Sequence, residues 1–271
     1  MSADNGLLAA VYQGSNVLCD KEHNLSLMKD QIKRASSDKV KLIIFPELFT
    51  TGYCLPKGSE DIERLAETQN GPSFQKISQW ASEYQIGIIY GYPEKEDKDG
   101  SVYYYNSAQF IDKQGSSLSN YRKLHLWPST DKDFTPGSQL PDVVSYEGVK
   151  IAMMICYDAE FPELVRAMVL KGSQLIVVPT ADTYISTATI MVRTRALENH
   201  VFLAYANHCG RESHIKYAGL SSFINPDGDI IVSAEDKESL LKAVINVDLC
   251  TPKRPSYLDN RRPELYASIA V

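Results

Sequence analysis

The sequence predicts an α/β layered protein with many strands, some of them antiparallel. Three observations carry this prediction. Short β-rich runs recur along the whole chain, segments with helical spacing lie between them, and two Gly-containing turn signals join consecutive strand-like runs directly. With 44% of 271 residues hydrophobic and 23% charged, the chain can build a sizeable core, and disorder or a collagen-like repeat is excluded.

The first strand is expected at Leu7–Tyr12; the residues before it lack the charged start and cleavage site of a secretory signal. Asp20 can cap a helix that places Leu25, Met28, Ile32 and Ala35 on one face. A strand follows at Lys41–Phe45, then a helix capped by Ser73 with Phe74, Ile77, Trp80, Ala81 and Tyr84 inward. Strands at Ile86–Tyr90 and Val102–Ile111 are joined through Asp97-Lys98-Asp99-Gly100, a hairpin signal. The run Val149–Cys156 leads to a helix that begins at Phe161, has Pro162 in its first turn and stops at Gly172. Beyond it come a strand at Gln174–Val178, a helix from about Ile185 to Asn199 and a strand at Val201–Asn207. Ala218–Ile224 and Asp229–Val232 flank a second hairpin turn over Asn225–Asp229, and Lys242–Val247 is the last strand. No repeat, low-complexity segment or Ser/Gly linker divides the chain, so residues 1–271 are expected to form one domain.

Acidic residues (34) outnumber basic ones (28), and no stretch interleaves Lys or Arg with aromatics, which argues against a nucleic-acid partner. The longest apolar run, Ile151 to Tyr157, is far short of the roughly 20 residues that span a bilayer, so no membrane helix is expected. Five widely spaced cysteines (Cys19, Cys54, Cys156, Cys209, Cys250) fit neither a disulfide framework nor a zinc site. A reducing, cytoplasmic setting is expected, with no metal or other cofactor.

Three stretches set a reactive side chain at the end of an apolar run. In Leu42-Ile43-Ile44-Phe45-Pro46-Glu47 a strand is halted by proline, which leaves Glu47 at its C-terminal mouth, as a ligand-facing carboxylate or as a cap of the next turn. In Asn120-Tyr121-Arg122-Lys123-Leu124-His125-Leu126-Trp127, alternation puts Tyr121, Lys123 and His125 on one face. A lysine is rarely buried without a partner, so on its own Lys123 is expected in solvent. In Ile151-Ala152-Met153-Met154-Ile155-Cys156-Tyr157-Asp158 the strand runs into Cys156 and a Pro-started helix follows. At such an elbow a cysteine is either a small buried hydrophobe or a thiol near amides that favour thiolate and stabilise an oxyanion. None of His23, His125, His200, His208 and His214 is placed as an obvious partner; His208 and His214 flank Gly210 in an expected loop.

Together these stretches resemble the nitrilase, or carbon–nitrogen hydrolase, superfamily: FPELFTTGY, YRKLHLW and MMICYDAEFPE are similar to its Glu, Lys and Cys motifs and stand in the same order. The likeness extends to Asn70-Gly71-Pro72-Ser73-Phe74, Tyr105-Asn106-Ser107-Ala108, Phe134-Thr135-Pro136-Gly137 and Arg195-Ala196-Leu197-Glu198-Asn199. The resemblance implies a four-layer αββα sandwich whose subunits pair. It also implies Glu47 as general base, Lys123 as oxyanion-stabilising cation and Cys156 as nucleophile, with the Tyr157 amide beside it. Thr180 and Ala181 would contact substrate through backbone groups, and Tyr53 would line the pocket or pack in its loop.

The activity implied is cleavage of a small linear amide through a Cys thioester with release of ammonia. Alternatives are hydrolysis of an N-carbamoyl amine or a nitrile, or a binding or scaffolding module with vestigial residues. Cys-Tyr-Asp is similar to the amidase and carbamoylase branches, whereas nitrilases often carry Cys-Trp-Glu. Asp158 is expected to bond turn amides and Glu163 to lie in a helix's first turn. Many members hold a second glutamate about eight residues after the lysine; here that position is Asp131, with Asp133 as the alternative, unless both are solvated loop carboxylates. A homodimer or larger assembly is expected, through the apolar face of Leu164, Val165 and Met168 and a C-terminal arm carrying Arg261 and Arg262.

Overall fold

The computed structural model describes residues 6–53, 59–251 and 256–270, so Cys54 lies outside the described residues. In the first half, β1 (Leu7–Gln13), α1 (Lys21–Ser37), β2 (Leu42–Ile44), α2 (Ser59–Leu65), α3 (Pro72–Tyr84), β3 (Gly87–Lys98), β4 (Ser101–Ile111) and β5 (Ser117–Arg122) follow one another. The second half has β6 (Val143–Tyr146), β7 (Val149–Met153), α4 (Pro162–Leu170), β8 (Leu175–Pro179), α5 (Val192–Asn199) and β9 (Phe202–Ala206). The short β10 (Arg211–Glu212) and β11 (Ile215–Lys216), then β12 (Ser222–Ile224), β13 (Ile230–Ser233) and β14 (Ser239–Ile245), complete it.

Two six-stranded sheets result, ordered β14-β1-β2-β3-β4-β5 and β13-β12-β9-β8-β7-β6. Each has a parallel centre, β1-β2-β3 and β7-β8-β9, flanked by antiparallel strands. The period-2 alternation of the strands builds the layers. Leu42 and Ile44 of β2 pack with Ile151, Met153 and Val177 of the second sheet, while Ile43 turns outward to Met28 and Ile32 of α1 and Ile77 of α3. On the far side, Ala152, Ile176 and Leu203 meet Val165 and Met168 of α4 and Val192 and Ala196 of α5. Central strands are therefore apolar on both faces, which explains the continuous hydrophobic runs of the sequence. The arrangement is the αββα sandwich.

Local signals mostly fall where the sequence places them. Asp20 caps α1 by accepting from the His23 amide, and Asp99-Gly100, both at positive φ (53° and 77°), close the β3–β4 hairpin in the way a two-residue turn requires. Other details differ. The cap of α3 is Gly71 rather than Ser73, which lies inside the first turn, where its amide donates to the Glu67 carboxylate (2.7 Å). The fourth helix is split into a π-helical turn, Thr187–Met191, and α5. The apolar face of Leu164, Val165 and Met168 is buried against the second sheet of its own chain, so it needs no partner subunit. No described helix is long and apolar enough to cross a membrane.

Candidate active site

Glu47 sits in a turn just past β2, where Phe45 N–H bonds Ile89 O and Thr50 N–H reaches Gly91 O. Leu48 takes φ 47°, and the turn lies so close over β3 that a Cβ on Gly91 would stand 2.4 Å from Leu48 N and 2.8 Å from Pro46 O. Only a glycine allows this approach. The Glu47 carboxylate is fully buried: Oε1 accepts from Asn106 Nδ2 and Lys123 Nζ, both at 2.7 Å, and Oε2 has no hydrogen-bond partner among the described residues.

Lys123 follows β5, its N–H donating to Asn106 O and its carbonyl accepting from Gly137 N–H. Contrary to the expectation for a lone lysine, it is fully buried, because two carboxylates meet its ammonium: Glu47 at 2.7 Å and Asp131 Oδ2 at 2.6 Å. Burial disfavours the charged ammonium, but the two carboxylates outweigh this and raise its pKa well above the usual lysine value. Asp131 is itself fixed by the Trp127 amide, which donates to Oδ2 at 2.9 Å. Asp133, two residues on, is exposed.

Cys156 does not end β7. The strand stops at Met153, and Cys156 opens a tight turn over Cys156–Glu160 with φ 48°, a strained conformation for a residue with a side chain. Asp158 braces this turn. Its Oδ2 accepts from Ile155 N–H (3.1 Å) and Tyr121 OH (2.8 Å), and its Oδ1 from His125 N–H (2.9 Å), with His125 Nδ1 at 2.8 Å. Tyr121 and His125 of the lysine stretch are thus spent on holding the cysteine turn. The Tyr157 ring packs edge-on against Trp127 and Phe161.

Burial and the nearby Glu47 charge push the Cys156 thiol well above its ordinary pKa, with Lys123 acting in the opposite sense. Glu47 is also raised, by burial and by Asp131, against the pull of Lys123. Both shifts favour the protonated form, so Cys156 and Glu47 titrate as a coupled pair, and Glu47 Oε2 is left without a hydrogen-bond partner among the described residues.

Cys156 opens onto a cavity of about 240 Å³ whose wall includes Tyr53, Trp127, Thr130, Ala181 and Tyr184. Tyr53 is buried, with its hydroxyl 2.5 Å from Thr130 Oγ1. Thr180, just past β8, is buried, and its amide donates to Ala206 O. Among the described residues no group of three or more His, Cys, Asp or Glu could hold a metal ion.

Sequence reasoning missed two supports. Asn106 is on the same face of β4 as Ala108 and Phe110, so period 2 alone points it into the inter-sheet region. His208, expected in a loop, is fully buried between Phe49 and Tyr217, and its Nε2 donates to Glu47 O at 2.7 Å. No local signal marks it.

The chain matches the Carbon-nitrogen hydrolase family model over residues 8–255. It is 40% identical over 266 residues to the hydrolase in the pqqF 5′ region of Pseudomonas protegens, covering 96% of this chain and 91% of that one. It is 30% identical to the (R)-stereoselective amidase of a Pseudomonas species, over 90% and 87% of the two chains. Two structures of the amidase from Nesterenkonia sp. AN1 superpose with TM-scores of 0.82 at 29% identity, over 99% of both chains. One is in complex with acrylamide, and the other shows covalent addition of the acetamide moiety of fluoroacetamide at the active site cysteine. With the two-sheet sandwich and the Glu47, Lys123 and Cys156 cluster inside it, a match over nearly the whole chain means that this protein belongs to the carbon–nitrogen hydrolase family and is a hydrolase of amide-type C–N bonds.

Proposed function

We propose that the protein hydrolyses a small linear carboxamide through a thioester on Cys156, releasing ammonia. The observation that carries this reading is the buried Glu47–Lys123–Asp131 cluster next to Cys156, with Glu47 Oε2 left unpartnered. The cavity of about 240 Å³ is below the roughly 300–1,000 Å³ of sites for drug-sized ligands, in keeping with a small substrate.

In this mechanism the Cys156 thiol gives its proton to Glu47 Oε2 as sulfur bonds the amide carbon. Lys123 Nζ and the Tyr157 N–H stabilise the oxyanion, a charge that Asp131 keeps the ammonium aligned to meet. As the tetrahedral intermediate collapses, the C–N bond breaks and Glu47 passes its proton to the nitrogen, which leaves as ammonia. Glu47 then takes a proton from water, the hydroxide attacks the thioester, and sulfur leaves and recovers the proton as a carboxylic acid departs. Tyr53 and the backbone at Thr180 and Ala181 hold the substrate against Cys156. Asp131, rather than the exposed Asp133, takes the part of the second carboxylate.

Ammonia release from short amides, with hydroxylamine present to trap the acyl group as a hydroxamate, tests the reading. Cys156→Ala and Cys156→Ser should both abolish turnover while keeping the melting temperature. Normal turnover by either would overturn the mechanism. The reading includes pairing of two copies, for which Ile185 and Ile190, each 63% exposed, offer apolar surface. A fully active monomer in sedimentation would contradict that pairing.

A further inference from the structure

Among the described residues, the charge on the cavity wall is one-sided. Cys156 opens onto a space bordered by Glu160 and Asp182, with His214 as the one basic residue among the described lining; Lys123 is paired with Glu47 and Asp131 and is not on that lining. The two carboxylates differ in what they already bind. Asp182 is occupied, its Oδ1 accepting from Tyr184 N–H (2.7 Å) and its Oδ2 from Tyr205 OH (2.8 Å). Glu160 is not. The one hydrogen bond to its carboxylate among the described residues is a long one from Thr187 Oγ1 (3.5 Å).

The nearby Arg195 is engaged elsewhere. Its Nε and Nη2 donate to the main-chain carbonyls of Ala159 (3.1 Å) and Glu160 (2.9 Å), and its Nη1 pairs with Glu198 (3.0 Å). Arg195 therefore fixes the backbone of the Cys156 turn and leaves the Glu160 side chain as acceptor capacity turned to the cavity. In a confined, low-dielectric space such a charge acts on a bound molecule far more strongly than in water.

From this geometry we infer that Glu160 selects substrates by charge. The preferred class is amides that carry an ammonium or other N–H donor on the part remote from the scissile carbonyl, and ω-amides of dicarboxylic acids are rejected. This deepens the proposed amidase reading and rests on it for the identity of the reacting group. Glu160 is a specificity-determining residue that binds the remote group and takes no part in bond breaking.

The test compares three short amides, the equal-sized 3-aminopropanamide and butyramide and the two-atom-larger succinamate, with wild type and Glu160→Gln. The assays are run at pH 8, because burial and Asp182 both raise the Glu160 carboxyl. Wild type should rank them ammonium, neutral, carboxylate, with roughly tenfold or more in kcat/KM between neighbours, the range expected for gaining or opposing one charge-assisted hydrogen bond. Glu160→Gln should bring all three within about threefold while butyramide hydrolysis is retained. Equal kcat/KM for the three in wild type, or succinamate as the best substrate, overturns the inference and leaves the amidase reading standing.

A second measurement does not need turnover. Alkylation of Cys156 by iodoacetamide and by iodoacetate, followed by peptide mass mapping, gives a rate ratio for neutral over anionic reagent. That ratio should fall about tenfold in Glu160→Gln. A shifted ratio in a protein that hydrolyses none of the amides would sustain the charge selection and sink the amidase reading. An unchanged ratio refutes the role of Glu160.

Discussion

Asp131 is the residue on which the reading of the buried cluster can be broken most cleanly. Its carboxylate lies 2.6 Å from Lys123 Nζ with both side chains fully buried, and Glu47 holds the same ammonium at 2.7 Å. At an effective dielectric of about 20, a charge pair at that distance attracts by ~6 kcal/mol, against a desolvation cost of several kcal/mol per buried ion. Removing one partner of a buried pair outright typically costs about 3–5 kcal/mol. Here Lys123 keeps Glu47, and Asp131→Asn retains an oxygen for the Trp127 amide, so its stability loss should be about 1–3 kcal/mol.

The rate should fall more than the stability. An ammonium held by one carboxylate instead of two is no longer aimed at the developing oxyanion, and losing one such donor costs about 10²–10³ in kcat. We expect Asp131→Ala in that range and Asp131→Asn at roughly a tenth of it. The sign of the pH effect is fixed as well. Asp131 raises the Glu47 carboxyl, so either substitution should move the acid limb of kcat/KM to lower pH. Steady-state ammonia release from pH 5 to 9, with urea melts for stability, measures all three quantities. Asp133→Ala is the matched control and should stay within about 0.5 kcal/mol of wild type in stability and near it in rate. Near-normal kcat in both Asp131 variants, with Lys123→Ala inactive, would show that Glu47 alone orients the lysine.

Gly91→Ala should displace the Glu47 turn, since its Cβ would stand 2.4 Å from Leu48 N; we expect a loss of about 1–3 kcal/mol or more and a collapse of kcat, measured by thermal melts and ammonia release. Asp158→Asn should cost about 1–3 kcal/mol despite its shape. Each carboxylate oxygen accepts a backbone N–H, from Ile155 and from His125, so the amide nitrogen must face a donor whichever way it turns. A wild-type melting temperature for Asp158→Asn would show that the brace on the Cys156 turn is dispensable. His208→Phe keeps the stacking but removes the donor to Glu47 O, so it should lower kcat while changing KM little; an unchanged kcat would show that the contact does not position Glu47.

How much of this was legible in the sequence depends on the range over which each interaction acts. Asp20 as a cap, Asp99-Gly100 as a hairpin turn and Pro162 as a helix start are decided by neighbours a few residues away, and a linear sequence displays such neighbours. The recurring β-rich runs likewise announced an α/β layered protein, and the resemblance of FPELFTTGY, YRKLHLW and MMICYDAEFPE to the motifs of one superfamily marked Glu47, Lys123 and Cys156 together. What the chain could not display is who stands opposite whom. That Lys123 is buried follows from two carboxylates 76 and 8 residues away; that Asp131 and not Asp133 meets it follows from one turn of a loop; and that His208 reaches Glu47 follows from the packing of one sheet on the other across 161 residues. The same holds for the face of Leu164, Val165 and Met168, whose pattern declares that it must be buried but not against what. Periodicity reports a need for burial or for a partner, and only the closing of the two sheets on each other decides which group supplies it.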